Sequence, residues 1–463
     1  MVSRGRLPIV ANLRSILLPL LVVVAYPCYA QAPATTAAQL DRAARFVDAG
    51  DWQKAEQTVR AVLRADPNQA DALNLLGIVT GKQGRSDEAE ALFRKAMVSN
   101  PSLAAAWANL AQLYKQRGDV ERALQTLEEG LGHAPHDPRL LSETAMLLAE
   151  RSQFSEAVRR LQAVPPAART SDYWELLGQL YLSAGDFTQA EENLRRALQG
   201  KPDSVTALRQ LAGIALKQGD PARAWQYLSR ALRLAPNSPE LLYEYAQVCL
   251  QDKLSSEAVL AMRKAVLMEP DRPEFSFFLG NALLETPDFH EALPYFRRYA
   301  ELRPNDTQGH LSLGWALFLE KNFPEARQQL EETLRLDPKQ ADAWYHLGMI
   351  AYETNDDAKA LELLTRALEL APGHARAHWG LGMVHSREGR YEKARDEFET
   401  AARLDPDEPK VHYQLSQLYA RLGDAERARS ELQLYQEAQK KSDERIKLSQ
   451  KLPSMGENGH PRP

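Results

Sequence analysis

The sequence predicts an all-α fold, a solenoid of about twelve helix–turn–helix units stacked in register. Three observations carry that reading. An alanine recurs at Ala55, Ala89, Ala123, Ala157, Ala190, Ala224, Ala258, Ala292, Ala326, Ala360, Ala394 and Ala428, in steps of 34 residues except for one of 33. A proline keeps the same beat twelve residues behind, at Pro67, Pro101, Pro135, Pro202, Pro236, Pro270, Pro304, Pro338, Pro372 and Pro406. Between the beats, apolar residues fall three and four apart. A fixed period of this length marks identical supersecondary units, none of which can bury its apolar face alone.

Taken in order, the chain opens with a segment unlike the rest. Arg4, Arg6 and Arg14 precede an apolar run from Ile16 to Ala25, and Cys28-Tyr29-Ala30 ends in small residues. That layout predicts a secretory signal peptide over 1–30, cut after Ala30, and the run is shorter than the ~20 residues a spanning helix needs. The mature chain is expected in the periplasm with no transmembrane helix. A lipidated Cys28 is the alternative, disfavoured by the bulky Tyr26 and Pro27 before it.

Twelve units follow: 36–69, 70–103, 104–137, 138–170, 171–204, 205–238, 239–272, 273–306, 307–340, 341–374, 375–408 and 409–442. In 171–204, Trp174, Leu177, Gly178 and Tyr181 share one face of a first helix. Gly185 permits the left-handed turn that ends it, and Asp186 is placed to cap a second helix. Ala190, Leu194 and Ala197 make the inward stripe of that helix, and Pro202 stops it. Gly or Ala at position 8 and Ala at position 20 let the two helices approach closely. The fourth unit is one residue short, and Pro165-Pro166 truncates its second helix. This predicts a local kink between units 36–170 and 171–442 without a domain break. The last helix lacks a stop proline and continues into 443–463 as a polar, solubilising cap, with 453–463 expected to be disordered.

These residues resemble the tetratricopeptide repeat family over 36–442. The tryptophan–leucine–glycine–tyrosine pattern is complete in 171–204. Most of it stands at Trp107, Leu110 and Tyr114 and at Trp344, Leu347 and Gly348. His310, His378 and His412 depart from it at the tryptophan place. The resemblance implies a right-handed superhelix whose first helices line a concave groove through positions 2, 5, 6, 9, 12 and 13. It also implies a protein or peptide partner.

Little in the chain points to chemistry. The net charge of −5 and pI near 6.1 give no basic field for nucleic acid. Of two cysteines, export removes Cys28 and leaves Cys249 as a small inward residue with no disulfide partner. His374, His378 and His385 are the best metal candidates. A seven-residue step along a helix spans about 10.5 Å, too far for one zinc. Gly77 to Gly81-Lys82 is one residue short of a phosphate loop, and Gln83 stands where a hydroxyl should hold magnesium. No catalytic constellation, cofactor or metal is expected.

The implied groove lining is more informative. Position 5 runs Leu40, Asn74, Ala108, Ser142, Glu175 and Arg209, then Tyr243, Phe277, Leu311, Tyr345, Trp379 and Tyr413. Phe278, Trp315, Phe318, Met349, Tyr352 and Met383 join from positions 6, 9 and 12, with Asn281, His346 and Gln417 among them. Glu240, Glu244, Glu285, Asp342 and Glu353 lie mid-groove, and Arg376, Arg387, Lys410 and Arg421 rim the last two units. Rings and thioethers give large, adaptable contact area. The expectation is a non-catalytic adapter that binds a protein segment along units seven to twelve, in envelope or secretion-related assembly. A glycan-binding accessory subunit is the alternative.

Overall fold

The computed structural model describes residues 34–252, 254–286 and 289–451. The expected signal segment, Cys28 and residues 452–463 lie outside them. Among the described residues there are twenty-four α-helices and no strand. The chain divides into two compact units at Ile214/Ala215, inside one helix rather than at the short fourth repeat.

The first unit holds α1 (Ala34–Asp48), α2 (Trp52–Ala65), α3 (Ala70–Lys82), α4 (Ser86–Ser99), α5 (Ala104–Gln116), α6 (Val120–His133), α7 (Pro138–Glu150), α8 (Phe154–Gln162), α9 (Ser171–Ala184) and α10 (Phe187–Gly200). The division falls in α11 (Val205–Lys217). The second unit continues with α12 (Pro221–Leu234), α13 (Pro239–Gln251), α14 (Ser255–Met268), α15 (Pro273–Leu284), α16 (Leu293–Leu302), α17 (Thr307–Leu319) and α18 (Phe323–Leu336). It ends with α19 (Ala341–Glu353), α20 (Asp357–Leu370), α21 (Ala375–Arg387), α22 (Tyr391–Leu404), α23 (Pro409–Arg421) and α24 (Ala425–Lys451). Odd-numbered helices are the first of each repeat and even-numbered helices the second. Truncated α8 is followed by a 3-10 turn at Pro166–Ala168.

The helix–helix contact is as close as the spacing predicts. Alanine at position 20 is fully buried in the first eleven repeats, from Ala55 to Ala394. At position 8, a Cβ on Gly348 would come 2.8 Å from Leu364 Cγ, and one on Gly382 2.5 Å from the Phe398 ring. A larger side chain there would force the pair apart. Position 15 takes the left-handed turn, with Gly185 at φ +82°. Ser152, Lys321 and Asn355 hold the same conformation at φ 61°, 57° and 62° without glycine's freedom. Asp51, Asp119, Asp186, Asp220 and Asp356 then cap the second helices by accepting a backbone N–H.

Position 4 has a polar role beyond filling space. Trp107 and Trp344 donate their indole N–H to the carbonyls of Pro101 and Pro338, at 2.8 and 3.0 Å. His310, His378 and His412 place Nε2 3.0, 3.1 and 2.9 Å from the equivalent proline carbonyls. In these five repeats a ring nitrogen at fixed height therefore ties the repeat to the turn before it. Histidine keeps that bond in the tautomer that carries its proton on Nε2.

Within each unit, neighbouring first helices touch: α1 with α3, α3 with α5 and α5 with α7, then α17 with α19 and α19 with α21. No comparable contact joins neighbouring second helices among the described residues. First helices thus crowd on one side, and that side carries the expected lining.

Candidate functional site

The second unit brings the aromatic positions of α15, α17, α19, α21 and α23 onto the crowded face, at two depths. Tyr345, His346 and Met349 are only 5%, 3% and 4% exposed, so they form its floor and offer a partner almost no surface. Above the floor, Trp315, Phe318, Tyr352, Trp379 and Met383 are partly exposed, and Tyr413 is exposed. Trp315 and Phe318 stack with centroids 5.4 Å apart at 15°. The Trp315 ring also covers His346 at 4.5 Å. Tyr243, Phe277 and Phe278 are half-buried: Tyr243 meets Phe278 edge-on at 5.1 Å, and Phe277 packs on Tyr299 at 4.7 Å. The Asn281 amide donates to Phe277 O in its own helix at 2.9 Å, which leaves that amide less free than its spacing suggested.

The burial of Tyr345 and His346 is shared among repeats, by Trp315 of the preceding one, His374 at the end of their own and Arg376 of the following one. His374 stacks over Tyr345 at 5.2 Å, and the Arg376 guanidinium lies 5.4 Å from the same ring. His346 Nδ1 has no hydrogen-bond partner. Burial, with the Arg376 charge beside it, pushes the imidazole well below its ordinary value and keeps it neutral. Asp342 is held below the usual carboxylate range by its hydrogen bond to His374, and the Arg376 charge adds to this.

The cationic rim is smaller than the sequence implied. Arg376 pairs with Asp342 at 2.8 Å. Arg387 pairs with Asp357, donates to Tyr352 O at 2.9 Å and lies 3.7 Å over the Tyr352 ring. Each carboxylate comes from the preceding repeat. Glu240 is likewise paired with Arg272 at 2.9 Å. Lys410 and Arg421 remain exposed with no carboxylate in ion-pair range among the described residues, Arg421 lying 6.0 Å from the Tyr391 ring.

His374 and His378 serve separate structural bonds, and His385 Nδ1 has no hydrogen-bond partner. His374 Nδ1 accepts the Ala377 N–H as a helix cap, and its Nε2 faces Asp342 at 3.2 Å. His378 bonds Glu397 at 2.6 Å. His385 Nδ1 lies 3.8 Å from Glu388. Among the described residues, no three His, Cys, Asp or Glu side chains converge on a metal position. Cys249 is fully buried, and burial pushes its thiol up, away from the reactive thiolate. No described helix is long and apolar enough to cross a membrane.

Such a stack of paired helices, with ringed first helices and no converging chemistry, defines a helical-repeat protein whose surface is its site. Known proteins name the repeat. A tetratricopeptide repeat model matches 108–172, 175–239, 251–307, 311–375 and 358–409, and a second one matches 215–276 and 385–452. The middle TPR-like domain of cilia and flagella-associated protein 70 matches 29–132. The chain belongs to the tetratricopeptide repeat family, whose members typically bind proteins or peptides and whose fold is generally a non-catalytic scaffold.

Relatives share the repeat over limited stretches. Protein O-mannosyl-transferase TMTC1 of Homo sapiens is 24% identical over 174 residues, 36% of this chain and 20% of that protein. Cellulose synthase 1 operon protein C of Komagataeibacter xylinus is 26% identical over 180 residues, 38% of this chain and 12% of that one. The probable biofilm formation methyltransferase WspC of Pseudomonas aeruginosa is 33% identical over 93 residues, 20% and 22%. The chain spans about a fifth or less of the length of these relatives. Among solved structures, the C-terminal part of a TPR protein from Cytophaga hutchinsonii shares 16% identity, covering 52% of this chain and 98% of that one at a TM-score of 0.46. YrrB, described as a TPR protein with an unusual peptide-binding site, shares 26%, covering 43% and 100% at 0.38.

Proposed function

We propose that this chain is a non-catalytic scaffold that holds a protein segment against the first-helix face of repeats seven to twelve, and that it works in envelope or secretion-related assembly after export to the periplasm. The carrying observation is the partly exposed row of Trp315, Phe318, Tyr352, Trp379 and Met383 on three adjacent first helices of one unit. An extended or helical segment laid across it gains apolar area from the rings. The unpaired cations Lys410 and Arg421 at one end favour an acidic group there.

Trp315→Ser combined with Phe318→Ser tests the reading, because both rings are partly exposed. Crosslinking in intact cells should lose the captured partner, while helicity by circular dichroism is retained. Undiminished capture would put the site elsewhere. Tyr345 is unsuited to this test, since its burial makes any truncation a stability mutation.

A second reading, a subunit that handles glycan or cell-wall polymer, has its own support. The parallel Trp315–Phe318 platform suits sugar rings, and one relative is a cellulose synthase operon protein. Glycan-array binding lost in the same double variant would favour it.

A further inference from the structure

Repeat twelve reproduces repeat eight at the place where a repeat meets the helix that follows it. Position 27 is Ala, Gly, Val or Thr in ten repeats and tyrosine in two, as Tyr299 and Tyr435. Each tyrosine packs on a ring at position 5 of its own repeat. Phe277 and Tyr299 lie 4.7 Å apart at 39°, and Tyr413 and Tyr435 lie 5.4 Å apart at 48°.

In repeat eight the next helix completes this arrangement. The Tyr299 hydroxyl donates to Asp306, the residue that caps α17. Its ring lies against Gly309, where a Cβ would come within 2.7 Å of the Tyr299 ring. Only a residue without a side chain fits there. Asp-x-x-Gly at the start of a first helix is therefore the complement of a tyrosine at position 27.

In repeat twelve no described helix follows. Position 24 shows the consequence. It is at most 3% exposed in the eleven earlier repeats, from Val59 to Phe398, yet Leu432 is 40% exposed. Tyr413 is 42% exposed beside it.

We propose that the exposed end of repeat twelve docks one amphipathic helix of another protein, opening with Asp-x-x-Gly, in the place α17 takes against repeat eight. The aspartate meets the Tyr435 hydroxyl, the glycine meets its ring, and the following apolar stripe covers Leu432. Residues 443–463, which come after repeat twelve in the sequence, contain no Asp-x-x-Gly. Asp-x-x-Gly occurs once in the sequence, at Asp306–Gly309, where it is already engaged. The surface shares only Tyr413 with the face proposed above, so the two readings stand or fall separately.

The test uses the full chain and a fluorescein-labelled peptide of its own residues 304–322, read by anisotropy. Saturable binding is expected with a dissociation constant on the order of 100 µM, since a free peptide of this length is mostly unfolded. Leu432→Asp in the protein, or Gly309→Val in the peptide, should weaken it at least tenfold. Tyr413→Ser serves as a second variant should Leu432→Asp lose helicity. No saturable binding, or equal binding by the glycine and valine peptides, would overturn the proposal. So would self-association, by sedimentation equilibrium, that Leu432→Asp abolishes, because a second copy would then be the occupant.

Discussion

His346 shows how one side chain can be read two ways. At position 6 among aromatic residues it looks like a contact group, yet Trp315, Tyr345 and the Arg376 side seal it into the floor. The buried ring is neutral when folded and titrates at its ordinary value of 6.5 when unfolded. The unfolded chain therefore binds more protons below that value, and stability falls as the pH drops through it. Melting of the wild type should decline between about pH 6.5 and 4 more steeply than that of His346→Phe, which keeps a flat ring and removes the titration. Parallel pH profiles would refute the assignment. The same residue marks the limit of sequence reading. The rings at positions 5 to 12 were legible from spacing. Their depth was not, because the groups that cover Tyr345, His374 and Arg376, lie 29 and 31 residues further along the chain. The pairing of Arg376 with Asp342 and of Arg387 with Asp357 escaped for the same reason, each pair being 30 or more residues apart in the chain.

At the level of the helix pair, the spacing carried nearly everything. Alanine at position 20, glycine at position 8 and aspartate at position 16 each met the contact or cap their period implied. The left-handed turn was legible where glycine holds position 15 and hidden where Ser152, Lys321 and Asn355 do. Those residues bear a steric cost at positive φ that glycine avoids. Lys321→Gly should therefore raise stability by about 1 kcal/mol, seen as a higher urea midpoint at unchanged m-value. A lower midpoint would mean that the lysine makes a compensating contact. The break inside α11 had no signal, because neither proline nor a turn interrupts that helix.

Across the chain, contacts run between a helix and its near neighbours, and stability is accordingly close to a sum over repeats and junctions. Excising residues 70–103, one complete period, should leave a folded chain with a smaller m-value. Excising 86–103 alone should unfold the adjoining repeats, because α3 would lose its second helix. Circular dichroism and hydrogen exchange distinguish the two, and equal tolerance of both deletions would refute a nearest-neighbour stack.

Because each position-24 residue packs on the first helix of its own repeat and is closed off by the helix that comes next, as Leu364 is by Gly348 and Gly380, biosynthesis inherits a rhythm. A growing chain that has just completed a second helix presents a half-covered leucine, valine, methionine or phenylalanine. At ~5–20 residues per second it waits about 2–7 s for the following 34 residues to hide it. Translation of this protein is thus a run of short adhesive pauses, each ended by the next turn of ribosomal output. At Leu432, 40% exposed, no described helix closes the interval.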